Sequence, residues 1–233
     1  MSVSVDQTPT AYIFLNGDFE KPPHQWPHRP APDDLVIAAD GGGRHLIDLG
    51  WPAHCLVGDF DSLDPGLMAQ LVDQGAEVTR YPSDKDEIDF ELSLMLARRR
   101  GYESIVVLGA LGGRWDMTFG NLFLPRAAGW GSESIRFRHG PWDFFVISGP
   151  ARLTIQGGAG DLLSLLPLGE DVRGVTLTGC RYPLADDTLK AGFSRGLSNE
   201  FIVRDAGLEF ESGALLIIHK NCAGGHVDVN LKM

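Results

Sequence analysis

Along the first two-thirds of the chain, short apolar runs alternate with stretches of helical periodicity. AYIFL (11–15), LVIAA (35–39), HCLV (54–57), AEVTRY (76–81) and SIVVLGA (104–110) have the length and composition of strands. The last is as apolar as the strands of parallel sheets buried on both faces. Between them, GGGRHLIDLG predicts a glycine turn and a short helix stopped by Gly50 and Pro52. Residues 64–74 read as a second helix. In PSDKDEIDFELSLMLARRRG, Asp84 with Glu87 three residues on resembles a capping box, and Ile88, Leu92, Met95 and Leu96 recur at helical spacing. A further helix is predicted from about Asp116 to Ala128. Residues 21–34, rich in proline, read as a surface loop. Strand, helix, strand in series predicts βαβ units and a mostly parallel α/β sheet.

After about residue 140 the grammar changes. DFFVIS, ARLTIQ, DLLSLLPL, GVTLTG, EFIVRD and the pair LEFE and ALLIIH are short apolar runs separated by Gly, Pro and Asp turns. They predict an all-β module, a β-sandwich. The fold class is therefore α/β plus all-β, with an α/β domain over 1–142 followed by a sandwich over 143–233.

Composition narrows the function. The length of 233 residues suits one large or two small domains, and 43% hydrophobic with 22% charged residues is ordinary for globular chains. A net charge of −11 argues against a nucleic-acid binder, because such a protein needs a basic face. The single basic run, Arg98-Arg99-Arg100, falls at the end of a predicted helix, where it complements the dipole. No apolar run is long enough to span a membrane. The start, MSVSVDQTPT, lacks the basic and apolar regions of a signal peptide. Cys55, Cys180 and Cys222 are odd in number and far apart, which fits a reduced cytoplasm better than a disulfide framework.

The placement of the acids changes the picture further. With 31 Asp and Glu in the chain, a pair such as Asp59 and Asp61 is common by chance and reads by itself as a polar turn. Yet Asp40 follows LVIAA, Asp59 and Asp61 follow HCLV, Asp84, Asp86 and Asp89 follow AEVTRY, and Asp116 follows SIVVLGA and a glycine loop. Open α/β sheets bind ligands beyond the carboxyl ends of their strands, so four strands deliver aspartate to that edge. A hard dication such as Mg²⁺ takes carboxylate oxygens there, commonly shared with substrate phosphates. Asp59 and Asp61, at i and i+2 of an extended segment, face one side. Asp86 and Asp89, three apart, would share a helical face; for Asp84 and Asp86, helix capping is the competing role. Asp40-Gly41-Gly42-Gly43 and Leu111-Gly112-Gly113-Arg114 precede helices and suit backbone N–H contact with an anion. Arg114 suits either a phosphate or a salt bridge to a neighbouring acid. Neither glycine stretch is a dinucleotide fingerprint or a P-loop.

AADGGGRHL (38–46), VGDFDSLDP (57–65), PSDKDEIDFELSL (82–94), VLGALGGRWDMTFGN (107–121) and GLSNEF (196–201) together resemble the thiamine pyrophosphokinase family in order and spacing. The resemblance implies an α/β nucleotide domain, a β-sandwich domain and a homodimer. It implies Mg²⁺-dependent transfer of the pyrophosphoryl group of ATP, as co-substrate, to the hydroxyl of thiamine. Asp59, Asp61 and Asp89 match the family's metal-associated aspartates, and Asp116 the aspartate beside the reacting hydroxyl. Asp40, Gly41, Gly42, Gly112, Gly113 and Arg114 match the nucleotide and phosphate loops. Ser198 and Asn199 match the thiamine-side segment.

The sequence departs from the usual pattern at Arg44, Lys85, Ile88 and Met117, where asparagine, glutamine, threonine and histidine are frequent. These leave two other readings open: transfer to another alcohol such as a pterin carbinol, and a non-catalytic sensor of thiamine or nucleotide. Trp115 is expected in the core, with stacking on a substrate ring as the alternative. His219, Cys222 and His226 match no common zinc spacing and are expected to have a structural or surface role, and His24 and His28 to face solvent.

Overall fold

The computed structural model describes residues 8–21, 29–126, 134–222 and 229–231. The chain divides into two compact units, the first drawn mainly from residues before 122 and the second mainly from those after it.

The first unit is built on parallel strands β1 (Thr10–Phe14), β2 (Leu35–Ala39), β3 (Cys55–Gly58), β4 (Glu77–Arg80) and β5 (Ser104–Leu108), in the order β5-β1-β2-β3-β4. All of β2 and β3 is buried, as a strand covered on both faces must be. β4 is exposed along its length, an edge strand whose charged residues Glu77 and Arg80 discourage further pairing. The helices are α1 (Gly43–Leu49), α2 (Pro65–Asp73), α3 (Asp89–Arg99) and α4 (Trp115–Phe123).

Local chemistry sets their ends. α1 stops at Gly50, whose φ of 66° is the left-handed cap that glycine adopts without strain. α2 starts after Asp64, whose carboxylate accepts from the N–H groups of Gly66 and Leu67, with Pro65 in the first turn. The capping box expected at Asp84 and Glu87 does not form. α3 begins at Asp89 after an extended Ile88 with no side-chain cap. Lys85 instead turns back to donate to the Pro82 carbonyl, holding residues 82–88 as a series of bends. Asp86 therefore precedes the helix and shares no helical face with Asp89. The face α3 buries carries Phe90, Leu92, Leu94 and Ala97, while Met95, expected inside, is exposed. α4 ends at Phe123, with a 3-10 turn over Leu124–Arg126 at Pro125, whose ring cannot continue the hydrogen-bond ladder. Ala128, the predicted end, lies outside the described residues, as do His24, His28 and His226.

The second unit is antiparallel. One sheet runs β12 (Asn199–Glu200), β9 (Leu162–Pro167), β14 (Ala214–Lys220), β7 (Trp142–Ser148), β6 (Ser134–His139). The other runs β11 (Leu184–Leu189), β10 (Val172–Thr178), β13 (Asp205–Phe210), β8 (Ala151–Gln156), β15 (Val229–Leu231). Their inner faces meet in one core that includes Phe145, Ile155, Leu165, Val175, Leu208, Phe210 and Ile217. This is the sandwich expected from the turn-punctuated strands. EFIVRD is not one strand: Glu200 ends β12, Ile202 and Val203 lie exposed in bends, and Asp205 opens β13. β6 and β11 are strands that apolar runs alone do not reveal. In β6, Arg136 and Arg138 alternate with Ile135 and Phe137 and both pair with buried Asp143 of β7. In β11, Asp186 and Asp187 are tolerated at the sheet edge.

A buried polar hub ties this unit together. Asp161 accepts from the N–H groups of Gly158 and Cys222, and its Oδ2 lies 3.0 Å from Nε2 of fully buried His219. His219 Nδ1 finds no hydrogen-bond partner among the described residues. His219 is thus structural, as expected. Cys55, Cys180 and Cys222 are free thiols. Burial lowers the His219 pKa below its ordinary 6.5, with Asp161 opposing. As pH falls below 6.5, the unfolded chain takes up the proton first, so the stabilisation present above that pH is lost through the lower folded value. His219→Gln, which cannot titrate, is therefore expected to flatten the decline in unfolding midpoint between pH 7 and pH 5, as read by circular dichroism melts. Buried His45, also depressed, leaves part of the slope in place.

Candidate functional site

The carboxyl edge of the parallel sheet collects the acids. β2 and β3 are neighbours, with Ala39 paired to Val57, so the residues just beyond them emerge side by side. Asp40 follows β2 directly, and Asp59 and Asp61 follow β3. One carboxylate oxygen from each lies within 4.8 Å of the others. Asp40 is only 8% exposed, and the Ser62 N–H points at its Oδ1 from 3.4 Å. The backbone is contorted to achieve this. Asp40 and Phe60 both have positive φ, 47° and 64°, a region non-glycine residues adopt at a cost.

Further contacts brace the loop after β3. The Asp61 N–H donates to Asp59 Oδ1 at 3.2 Å, and the Ser62 hydroxyl donates to Asp61 at 2.8 Å. Arg80 of β4 donates to the Asp59 carbonyl and lies 4.9 Å from the centre of the Phe60 ring. A hydrogen bond from Ser83 and then the Asp61 N–H hold the Asp59 carboxyl below the usual range, so it is ionised at neutral pH. Three carboxyl oxygens this close together are the donor set that a hard divalent cation takes.

Asp89, expected beside Asp59 and Asp61, opens α3 and lies outside the group of three. Lys85 Nζ stands 3.1 Å from its Oδ1. The approach is that of a charge pair and not an aligned hydrogen bond, leaving buried Oδ1 without a hydrogen-bond donor among the described residues. Burial raises the Asp89 pKa, Lys85 opposes, and Asp40 and Asp59 push it up further, which places them nearby.

The glycines before α1 serve packing. A Cβ on Gly42 would sit 2.0 Å from the Phe14 carbonyl oxygen, and one on Gly41 2.3 Å from Asn16 Oδ1. They let the Asp40 turn lie against the end of β1. Arg44 completes that junction by donating to the carbonyls of Asn16 and Gly17. Gly112 and Gly113 adopt φ of 77° and 65°, and a Cβ on Gly112 would meet Asp18 at 2.1 Å. This turn presents Arg114 and Asp116 together. Arg114 Nη2 and Nε reach the two Asp116 oxygens at 2.5 and 3.2 Å, with both side chains about two-thirds exposed (69% and 66%). The Arg114 pair and then the Met117 N–H hold the Asp116 carboxyl low. Trp115, expected in the core, is 68% exposed, because α4 turns Thr118, Asn121 and Leu122 inward instead. Asn121 anchors the helix by donating to the Ala110 carbonyl at 2.9 Å.

In the second unit, Ser198 is exposed with a φ of 58°. Asn199 is 7% exposed, and its amide is occupied by the backbone of Tyr182 and Glu200. Asn199 therefore shapes the turn, and Ser198 is the one of the two free to meet solvent. The inclusion of Asp40 with the acids was visible in principle from sequence. It required knowing that β2 and β3 are adjacent, which no single motif states.

The chain's relatives agree with one another. Residues 30–128 match the family described as "Thiamin pyrophosphokinase, catalytic domain", and residues 151–215 match "Thiamin pyrophosphokinase, vitamin B1 binding domain". Thiamine pyrophosphokinase of Bacillus subtilis (strain 168) is 28% identical over 185 residues, covering 79% of this chain and 86% of that protein. Thiamine pyrophosphokinase 1 of Oryza sativa subsp. japonica is 24% identical over 216 residues, covering 78% and 77%. The crystal structure of the Bacillus subtilis enzyme superposes with a TM-score of 0.78 at 26% identity, covering 91% of this chain and 99% of that one. The thiamin pyrophosphokinase of Geobacillus thermodenitrificans gives 0.77 at 25% identity, covering 92% and 98%. Both halves of the chain carry the signature of one two-part enzyme, and the chain belongs to the thiamine pyrophosphokinase family.

Proposed function

We propose that this chain transfers the pyrophosphoryl group of ATP to the hydroxyl of thiamine, giving thiamine diphosphate and AMP. The observation that carries the reading is the convergence of Asp40, Asp59 and Asp61 at the carboxyl edge of the sheet, inside the segment that matches the catalytic domain of the family. The α/β part, over 1–142, carries nucleotide and metal, and the sandwich, over 143–233, carries thiamine binding and dimerisation. The homodimer and the thiamine-side role of Ser198 and Asn199 rest on the family resemblance.

Asp59 and Asp61, with Asp40, would hold Mg²⁺, with Asp89 alongside. The ion would supply charge neutralisation for the phosphates, the main demand of phosphoryl-type transfer. The remaining work falls to positioning. The thiamine hydroxyl oxygen bonds to the β-phosphorus, the bond from that phosphorus to the bridging α–β oxygen breaks, and AMP leaves with that oxygen. In this reading Arg114 meets phosphate, and Asp116 orients the hydroxyl and the cationic thiazolium. While Asp116 is clamped by Arg114, its depressed pKa makes it a poor acceptor of the hydroxyl proton. Engagement of Arg114 by phosphate would release it for that task.

Incubation with ATP, Mg²⁺ and thiamine is expected to yield thiamine-dependent AMP and a product of thiamine diphosphate mass. Intact ATP, or a product formed only with another alcohol, defeats the assignment. Asp61→Asn is expected to lower turnover by at least about a hundredfold, as loss of a transition-state charge contact does, with an unchanged circular dichroism spectrum. Near-normal turnover would remove Asp61 from the metal set. Arg114→Gln is expected to raise the Asp116 carboxyl toward the ordinary carboxylate range, with the Met117 N–H still holding part of the depression, read by carbon-13 NMR titration of labelled aspartate. An unmoved Asp116 titration would show that Arg114 does not hold it.

A further inference from the structure

Lys85 sits against Asp89 at the approach to α3, and the functional reading gives it no task. Its side chain is mostly buried, 14% exposed, and its ammonium lies 3.1 Å from Asp89 Oδ1. A second tie, to the Pro82 carbonyl at 3.2 Å, fixes the side chain inward. Asp89 Oδ1 has no hydrogen-bond donor among the described residues, so the charge of Lys85 is its main compensation. Asp89 in turn is close enough to Asp40 and Asp59 to sense their charge, and Lys85 is felt at Asp59 as well. A lysine ammonium is a compact point charge on a flexible stem, able to occupy a place that a metal ion would otherwise take.

We propose that Lys85 is a positioning residue that competes with divalent cation for Asp89, confining the metal to Asp40, Asp59 and Asp61 until a phosphate chain draws the ammonium away. The inference rests on the functional reading above for the identity of the acid edge. Two consequences follow from the charges alone. Before nucleotide arrives, the acid edge holds one internal positive charge and a correspondingly weaker pull on free metal. Once phosphate is present, Lys85 and Asp89 have separate partners, the first an anion and the second a cation.

The test is a titration of the full chain with Mn²⁺ in the absence of nucleotide, reading free Mn²⁺ by electron paramagnetic resonance. Lys85→Gln is expected to bind Mn²⁺ about tenfold more tightly than the unaltered chain, the scale of one partly screened unit charge. Lys85→Arg, which keeps the charge, is expected to behave as the unaltered chain. Lys85→Gln combined with Asp89→Asn is expected to lose the gain. Thermal melts of each variant confirm folding, and the conservative Lys85→Arg keeps the comparison informative if Lys85→Gln melts low. Equal or weaker binding by Lys85→Gln overturns the proposal, as does a gain that survives Asp89→Asn. Binding by neither the unaltered chain nor Lys85→Gln overturns it too. AMP formation from ATP and thiamine is read separately. A chain that makes thiamine diphosphate yet fails this titration loses only the Lys85 assignment, whereas a chain that gains Mn²⁺ on Lys85→Gln but makes no product loses only the proposed reaction.

Discussion

Like charges crowded at the end of a parallel sheet are the constraint on which the first unit depends. Two carboxylates about 4 Å apart repel by roughly 4 kcal/mol at an effective dielectric of 20, before solvent screens the exposed partner. Asp40, Asp59 and Asp61 bear that repulsion together. The chain accommodates it with local donors: the N–H groups of Asp61 and Ser62, the hydroxyls of Ser62 and Ser83, and Lys85 at the flank. It also accommodates backbone strain at Asp40 and Phe60. Strained backbone and crowded acids at one edge are features that functional sites concentrate.

The sandwich solves a different problem. Its inner faces are apolar, and buried Asp161, His219 and Asp143 are gathered into two hubs, Asp161 with His219 and Asp143 with Arg136 and Arg138. The first joins segments 58 residues apart, so it depends on the sheets already being formed, whereas the second closes the neighbouring strands β6 and β7. Removing one partner would leave a buried charge or a buried ring nitrogen uncompensated, which costs more than the pair itself contributes. The thiamine-side turn follows the same economy. Asn199 spends its amide on the turn, and the left-handed Ser198 beside it is left exposed.

Much of this was legible in the chain. The strands β1, β2, β3, β5 and most of the sandwich announce themselves as apolar runs between turn residues, because burial on one or both faces dictates that pattern. Where the reading failed, a competing contact had intervened. The capping box at Asp84 and Glu87 yielded to Lys85 folding back on Pro82 and Asp89. Trp115, apolar and bulky, was drawn outward because Thr118, Asn121 and Leu122 occupy the inward face of α4. β6 and β11 carry their charges on a sheet edge or in a buried ion pair, which an apolar count misses.

Sequence by itself determined the order of strands and helices through α4, the change to all-β grammar after it, and the delivery of aspartates to the ends of strands. Those are consequences of local periodicity and of chain direction in a parallel sheet. Only the tertiary structure decided which aspartates meet. Asp40 joins Asp59 and Asp61 because β2 and β3 are neighbours. Asp89 opens α3 beside Lys85 and within reach of the charges of Asp40 and Asp59, and Asp116 is clamped by Arg114 after a turn of two left-handed glycines. Distances of a few ångströms decide whether carboxylates share a cation, and such distances arise from packing between segments that sequence order keeps apart.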